Sequence, residues 1–298
     1  MSKRYFFSGG VDNYSATVGN WSDVTGGPSD GGGPPGAGDE FILDADSPNI
    51  TISGAVSCDD WTCASVAGHY TGAMTLLYGV TLDGALETTG GCSIAGGAGD
   101  IISTSATGGR DIKDVDFTGY AGDLKYKVAP QQMQGLTNPP DLEVDDAGGA
   151  LTSTVDVSST HYAVGDLKLI SCTFDCNGVG LICGAIPLGK SDGTRSATLQ
   201  LGEGTHAIAG AVAEGHADCS SVLTFETSCV NLGASASIDG TGLTCTAGGA
   251  QVCGGTISNI TLVGTQRLIA HGVLDGGDNS EAVEFCPRDN GMGIGLAI

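Results

Sequence analysis

The sequence predicts an all-β chain wound as a right-handed parallel β-helix, a solenoid, with an irregular N-terminal arm or cap. Three observations predict it. From Asp39 onward the chain breaks into apolar/polar alternating runs of about four to six residues, the period of short strands. Glycine, 51 of 298 residues, closes these runs so regularly that the backbone must turn a corner every few residues. Aromatics are only 5% of the chain, so its interior is built from small and branched side chains that stack closely. Many short strands also suit a sandwich, but abundant glycine and weak self-similarity favour stacked coils.

The elements follow in order. Residues 1–38 are an arm or cap: aromatics cluster in RYFFSGG and NYSATVGNWS, and GGPSDGGGPPGAG then excludes regular structure. A solenoid needs such a cap over its first open strand edge. Residues 39–286 read as the coil, through NITISG, VTLDG, CSIAGG, DIKDVDFTG, DLKYKVA, TSTVDVSS, DLKLISCTFDCNG, ATLQLGEG, SVLTFETS, ASIDG and SNITLVG. Residues 287–298 are a glycine-broken apolar tail. No amphipathic helix is readable.

The stretch CTFDCNGVGLICG shows the inside/outside logic. Alternation puts Phe174 and Cys176 inside and Thr173, Asp175 and Asn177 outside, with Asn177-Gly178 making the corner and Cys183 inside the next run. The eleven cysteines (58, 63, 92, 172, 176, 183, 219, 229, 245, 253 and 286) are spread along strand-like runs, and most are expected as interior thiols, small and apolar enough to stack. Cys58/Cys63 and Cys172/Cys176 have no histidine pair at zinc-finger spacing, so no metal is assigned. An odd cysteine count and synthesis in a cytoplasm argue for reduced thiols.

Acidic residues outnumber basic ones 34 to 11, for a formal charge of -23, which repels nucleic-acid phosphates and anionic lipid heads. Neither is expected as a partner. The excess is mostly aspartate, which bonds its own backbone in turns; a high-salt host is a second explanation. No apolar run approaches the ~20 residues of a membrane span, and the N-terminus has no signal-peptide h-region. The N-x-[ST] patterns at Asn13, Asn20, Asn49 and Asn259 are taken as chance matches.

At residues 169–210, LISCTFDCNGVGLICGAIPLGKSDGTRSATLQLGEGTHAIAG, the order of phrases resembles a family of phage-associated and environmental β-solenoid proteins of the pectin-lyase-like kind. That family shows G-T-F-D-x-N-G, a strand and polar turn, then R-T-L-x-L-G-x-G-T-W-x-L-x-G. RYFFSGG, GNWSD and GDEFILDADS are similar to its opening. His206 stands where the family has tryptophan, and Cys172 and Cys176 replace small residues. The resemblance implies the coil and a virion protein made in the host cytoplasm: capsid decoration, spike or tail fibre. Implied partners are further copies of the chain, first a homotrimer, and virion proteins such as the major capsid protein, with host surface glycan a further candidate.

Solenoids also host glycan-cleaving sites built from two carboxylates on adjacent rungs, so a tail-spike depolymerase is an alternative, and a non-catalytic glycan-binding adhesin another. Asp44/Asp46, Asp59/Asp60, Asp145/Asp146, Asp175 and Glu226 are the acids considered; most sit at run ends, where aspartate caps turns without catalysis, and no catalytic residue is assigned. DADSPN (44–49) and DGGDNSE (275–281) lack the twelve-residue calcium loop, His69, His161, His206, His216 and His271 are scattered, no glycine run carries a P-loop lysine, and no cofactor is expected. The residues expected at a partner are the N-terminal aromatics Tyr5, Phe6, Phe7, Tyr14 and Trp21, whose alternative role is packing over the first coil.

Overall fold

The structure is a computed structural model, and it describes all residues except 1, 7–14, 26–29, 31, 66–67, 85, 89–90, 108–110, 264–266, 275–282 and 286–298. It is all-β, with parallel strands stacked as β-solenoid coils, about nine turns in all among the described residues. One short 3-10 turn, Val18–Asn20, is the only helical element among them. The chain divides into two compact units, residues 1–143 and 144–298, where the sequence reads as one run of coil.

In the first unit each coil contributes to three parallel ladders. One runs through Asp39–Ile42, Trp61–Ser65, Leu86–Thr88, Ile112–Lys113 and Met133–Gln134. A second joins Ile50–Ile52, Ala73–Leu76 and Ser93–Gly97, and a third Val56–Cys58, Val80–Leu82, Ile101–Ser103 and Leu124–Tyr126. Parallel pairing of successive strands is what distinguishes a coil from an antiparallel sandwich.

The N-terminal segment belongs to the first ladder. Ser2–Phe6 lies parallel to Asp39–Ile42 and covers its edge, and Trp21–Ser22 closes the ladder by pairing antiparallel with Ser2–Phe6. Beneath this cap the rings of Phe6, Trp21, Phe41 and Trp61 follow one another at centroid distances of 5.3, 5.3 and 5.0 Å, the last pair stacked. All four are buried, and Trp21 Nε1 donates to Ser15 O at 2.8 Å. Four of the chain's 16 aromatic residues, both tryptophans among them, are thus stacked together under the cap.

The second unit repeats the plan. One ladder runs through Thr152–Thr154, Thr173–Asp175, Thr198–Gln200, Val222–Thr224 and Thr244–Thr246. Another joins Tyr162–Ala163, Leu181–Cys183, Thr205–Ile208, Cys229–Leu232 and Ala250–Ser258, and a third Leu167–Ser171, Ile186–Leu188, Ala211–Glu214 and Ser237–Asp239. Paired positions 152, 173, 198, 222 and 244 show that the coils differ in length by a few residues. The longer coil takes up its extra residues at the corner 189–196, which closes on itself: Lys190 N donates to Arg195 O at 2.9 Å and Gly193 N to Lys190 O at 2.8 Å.

The cysteines of CTFDCNGVGLICG are interior. Phe174 and Cys176 are buried while Thr173, Asp175 and Asn177 face outward, and Asn177 and Gly178 make the corner at φ of 50° and 78°. Burial pushes the Cys172 and Cys183 thiols up to about 12. Of the other cysteines, Cys229 and Cys253 are half-buried, Cys58, Cys63, Cys92, Cys219 and Cys245 are buried, and Cys286 lies outside the described residues.

Candidate functional site

The most regular outward surface is the second unit's five-stranded ladder. Its inward positions, Ser153, Phe174, Leu199, Leu223 and Cys245, form a buried column in register. That column fixes the outward ones, because successive side chains of a strand point to opposite faces. Two outward ranks result: Thr152, Thr173, Thr198, Val222 and Thr244, and beside them Thr154, Asp175, Gln200, Thr224 and Thr246. None of the ten is buried. Neighbouring coils bond through these ranks, as where Thr246 Oγ1 donates to Thr224 Oγ1 at 3.1 Å. β-branched threonine, stiff at χ1, holds its hydroxyl and methyl in fixed places on such a sheet.

At one end of this face lies a pocket of about 200 Å³ lined by Glu203, Thr224, Glu226, Thr227, Thr246, Ala247 and Gly248. Glu226 sits at φ 49° on the corner after Val222–Thr224, and its carbonyl accepts from Gly248 N at 2.6 Å. Two glutamates and three threonines are among its lining residues, side chains of the kind that exchange hydrogen bonds with the hydroxyls of a sugar. Glu226 stands out in the sequence, but Glu203 does not. Glu203 lies one coil earlier but one position out of step: with Gln200 opposite Thr224, Gly202 answers to Glu226 and Glu203 to Thr227, so the phrases LGEG and FETS do not mark the pair.

The other acids hold corners. Asp175 Oδ1 accepts from Asn177 N at 2.8 Å, Asp156 from Ser158 N at 2.8 Å, Asp116 from Thr118 N at 2.9 Å and Asp239 from Thr241 N at 3.0 Å. The Thr118 hydroxyl, with its N–H behind it, holds the Asp116 carboxyl below the usual range, and the Asn259 amide, with Thr241 behind it, does the same for Asp239. Asp146 accepts from Ala150 N and Leu151 N at 2.8 and 2.9 Å, and Asp145 is ion-paired with Arg195. Asp44 is buried, bonded to Thr25, Ser47 and the Asp46 backbone. Asp59 and Asp60 lie at the corner before Trp61–Ser65, where Gly84 N donates to Asp59 O at 2.7 Å.

Of the N-terminal aromatics, Phe6 and Trp21 are buried in the ring stack and so pack within the chain, Tyr5 is half-buried, and Phe7 and Tyr14 lie outside the described residues, as do residues 275–281. Among the described residues no group of three or more His, Cys, Asp or Glu side chains is placed to hold a metal ion, and no helix is long and apolar enough to cross a membrane. Glu214, His216, Cys219 and Ser221 share one loop, but Cys219 is a buried thiol raised above its ordinary value by burial and by Glu214, the reverse of what a nucleophile needs. Glu214 instead accepts from Ser221 Oγ at 2.6 Å.

His206, fully buried, accepts the Leu181 N–H on Nδ1 at 3.1 Å, while no partner meets Nε2. Burial lowers its pKa from 6.5 to about 4. The unfolded chain therefore binds a proton that the folded chain refuses between those values, so stability is full above pH 6.5 and is lost as pH falls toward 4, by about 3 kcal/mol. H206F is expected to be less stable at neutral pH, because Leu181 N–H loses its acceptor, and to show a shallower fall in urea midpoint between pH 7 and pH 4.5. An equal fall in both proteins would remove His206 as a source of the acid sensitivity.

In comparisons with known proteins, no family, curated protein or solved structure matches the chain.

Proposed function

We propose that this chain is a structural and adhesive surface protein, and that the threonine-ranked face is where it holds its ligand. The observation that carries the reading is the register: five coils set equivalent polar groups side by side, at the ~4.8 Å interval of neighbouring strands. A repeating face gains by meeting a repeating partner, because many weak contacts add once the first is made. A polysaccharide with regularly spaced hydroxyls is such a partner, and an acidic chain favours a neutral or cationic one. The phrase resemblance supports placing the protein on a virion, as capsid decoration, spike or tail fibre, assembled as a homo-oligomer, first a trimer, beside the major capsid protein.

The test is retention on host surface polysaccharide, with the native particle imaged to locate the chain. T198K and T224K replace outward residues, so the fold persists while the face is obstructed; binding is expected to fall at least about tenfold. Unchanged binding by both variants would remove this face from the reading. The pocket beside Glu203 and Glu226 favours a second reading, glycan cleavage by a tail-spike depolymerase. It requires release of reducing ends by the wild type, abolished in E226Q, and retention without product returns the non-catalytic adhesin.

A further inference from the structure

In the second unit, the parallel strands Cys229–Leu232, Ala250–Ser258 and Leu268–Leu274 set a thiol and an imidazole side by side on their outward face. Val230, Val252 and Ala270 are buried at matched positions of these strands. Alternation therefore turns Asn231, Cys253 and His271 outward as one rank, and Cys229, Gln251 and Ile269 as the next. Cys253 pairs with His271 on one side and with Asn231 on the other, each one strand spacing away, about 4.8 Å. Cys253 and His271 are both half-buried. The register shifts directly after the thiol, at Gly254 and Gly255, which turn at φ 78° and 57° and carry no side chain to cover it. Cys229 is the matched contrast: half-buried and outward on the same ladder, but flanked in register by Thr205 and Gln251. The other described cysteines are buried.

We propose that Cys253 is a modification site for small disulfides of the glutathione class, with His271 as its base. A thiolate, not a thiol, attacks a disulfide, and imidazole is the side chain that takes up and returns a proton near neutral pH. The Cys253 S–H proton passes to the His271 imidazole, and the thiolate sulfur attacks one sulfur of the small disulfide. A new sulfur–sulfur bond forms at Cys253 as the incoming one breaks, and the leaving thiolate takes the proton back from the imidazolium. Cys253 is oxidised to a mixed disulfide and half of the small disulfide is reduced to a thiol, with no other reactant consumed. Asn231, whose amide is of a kind that donates to a charged sulfur, stands on the opposite flank. Because Cys253 points away from the core, the attached group leaves the ladder intact.

The full-length chain, reduced and then freed of reductant, is exposed to oxidised glutathione at pH 7 for timed intervals, quenched in acid and mapped by peptide mass. Cys253 is expected to gain glutathione at least about tenfold faster than Cys229, and H271Q to bring the Cys253 rate down to that of Cys229 while leaving Cys229 unchanged. A merely structural effect of the substitution would loosen the face and speed both thiols instead of slowing one. Equal rates at Cys229 and Cys253 in the wild type, or a Cys253 rate that H271Q does not slow, overturns the assignment. Should H271Q show no urea unfolding transition, the wild-type ratio of the two rates decides alone.

Discussion

G97A is expected to unfold most of the first unit. Gly97 lies at φ 88°, in the left-handed region, and an added Cβ would stand 1.9 Å from Leu76 O and 2.3 Å from Leu76 C. Those are backbone atoms of the neighbouring coil, held in register because Gly97 pairs with Leu76 and Gly99 N donates to Leu76 O. They cannot swing aside as a side-chain tip can. Strain of ~1–2 kcal/mol from the backbone angle adds to the clash, and a total loss of about 4 kcal/mol consumes much of a domain's ordinary stability. Urea titration of three variants separates the causes. Gly33 has nothing within 4 Å of its Cβ position, so G33A is expected within about 0.5 kcal/mol of wild type. Gly249 has open space but φ 103°, so G249A shows strain alone. If G97A costs no more than G249A, the coils do not approach as described.

The second large effect is expected from W21A. Its ring is fully buried between Phe6 and Phe41, and truncating such a tryptophan costs about 3–5 kcal/mol. Loss of the ring also loosens Ser2–Phe6 from the edge of Asp39–Ile42, and an uncovered edge strand pairs with other chains. W21A should therefore show both a lower urea midpoint and concentration-dependent association by sedimentation. Y5A, at a half-buried neighbour, should show a smaller loss. An unchanged midpoint for W21A with loss of particle or glycan binding would assign the ring to attachment instead of packing.

These residues also show what the sequence makes legible. Alternation and glycine closure place TSTVDVSS, TFDCNG, ATLQLGEG and SVLTFETS in strands, and the structure keeps their inward positions inside. DIKDVDFTG yields only Ile112–Lys113 as a strand, because Asp114 takes φ 54° and turns the backbone out of the ladder. SNITLVG likewise contributes one bridge, at Leu262, after Asn259 turns at φ 54°. Alternation cannot report such a residue, since asparagine and aspartate are ordinary on an outward face until a turn uses them. Contacts of function fare worse. Glu203 and Glu226 line one pocket from successive coils, and those coils vary in length, so no fixed spacing reveals them.

The unequal coils have a use outside the protein's own role. At 189–196 the surplus residues fold back on their own backbone, with Asp192 tied to Lys190 and to Thr194 N, while the strands on either side keep their pairing with the neighbouring coils. Because lengthening a surface loop costs little, about 0.6 kcal/mol for each doubling, this corner would accept a grafted foreign peptide with the ladders unchanged. The coil is thereby a scaffold on which guest epitopes can be spaced at intervals set by the strand repeat.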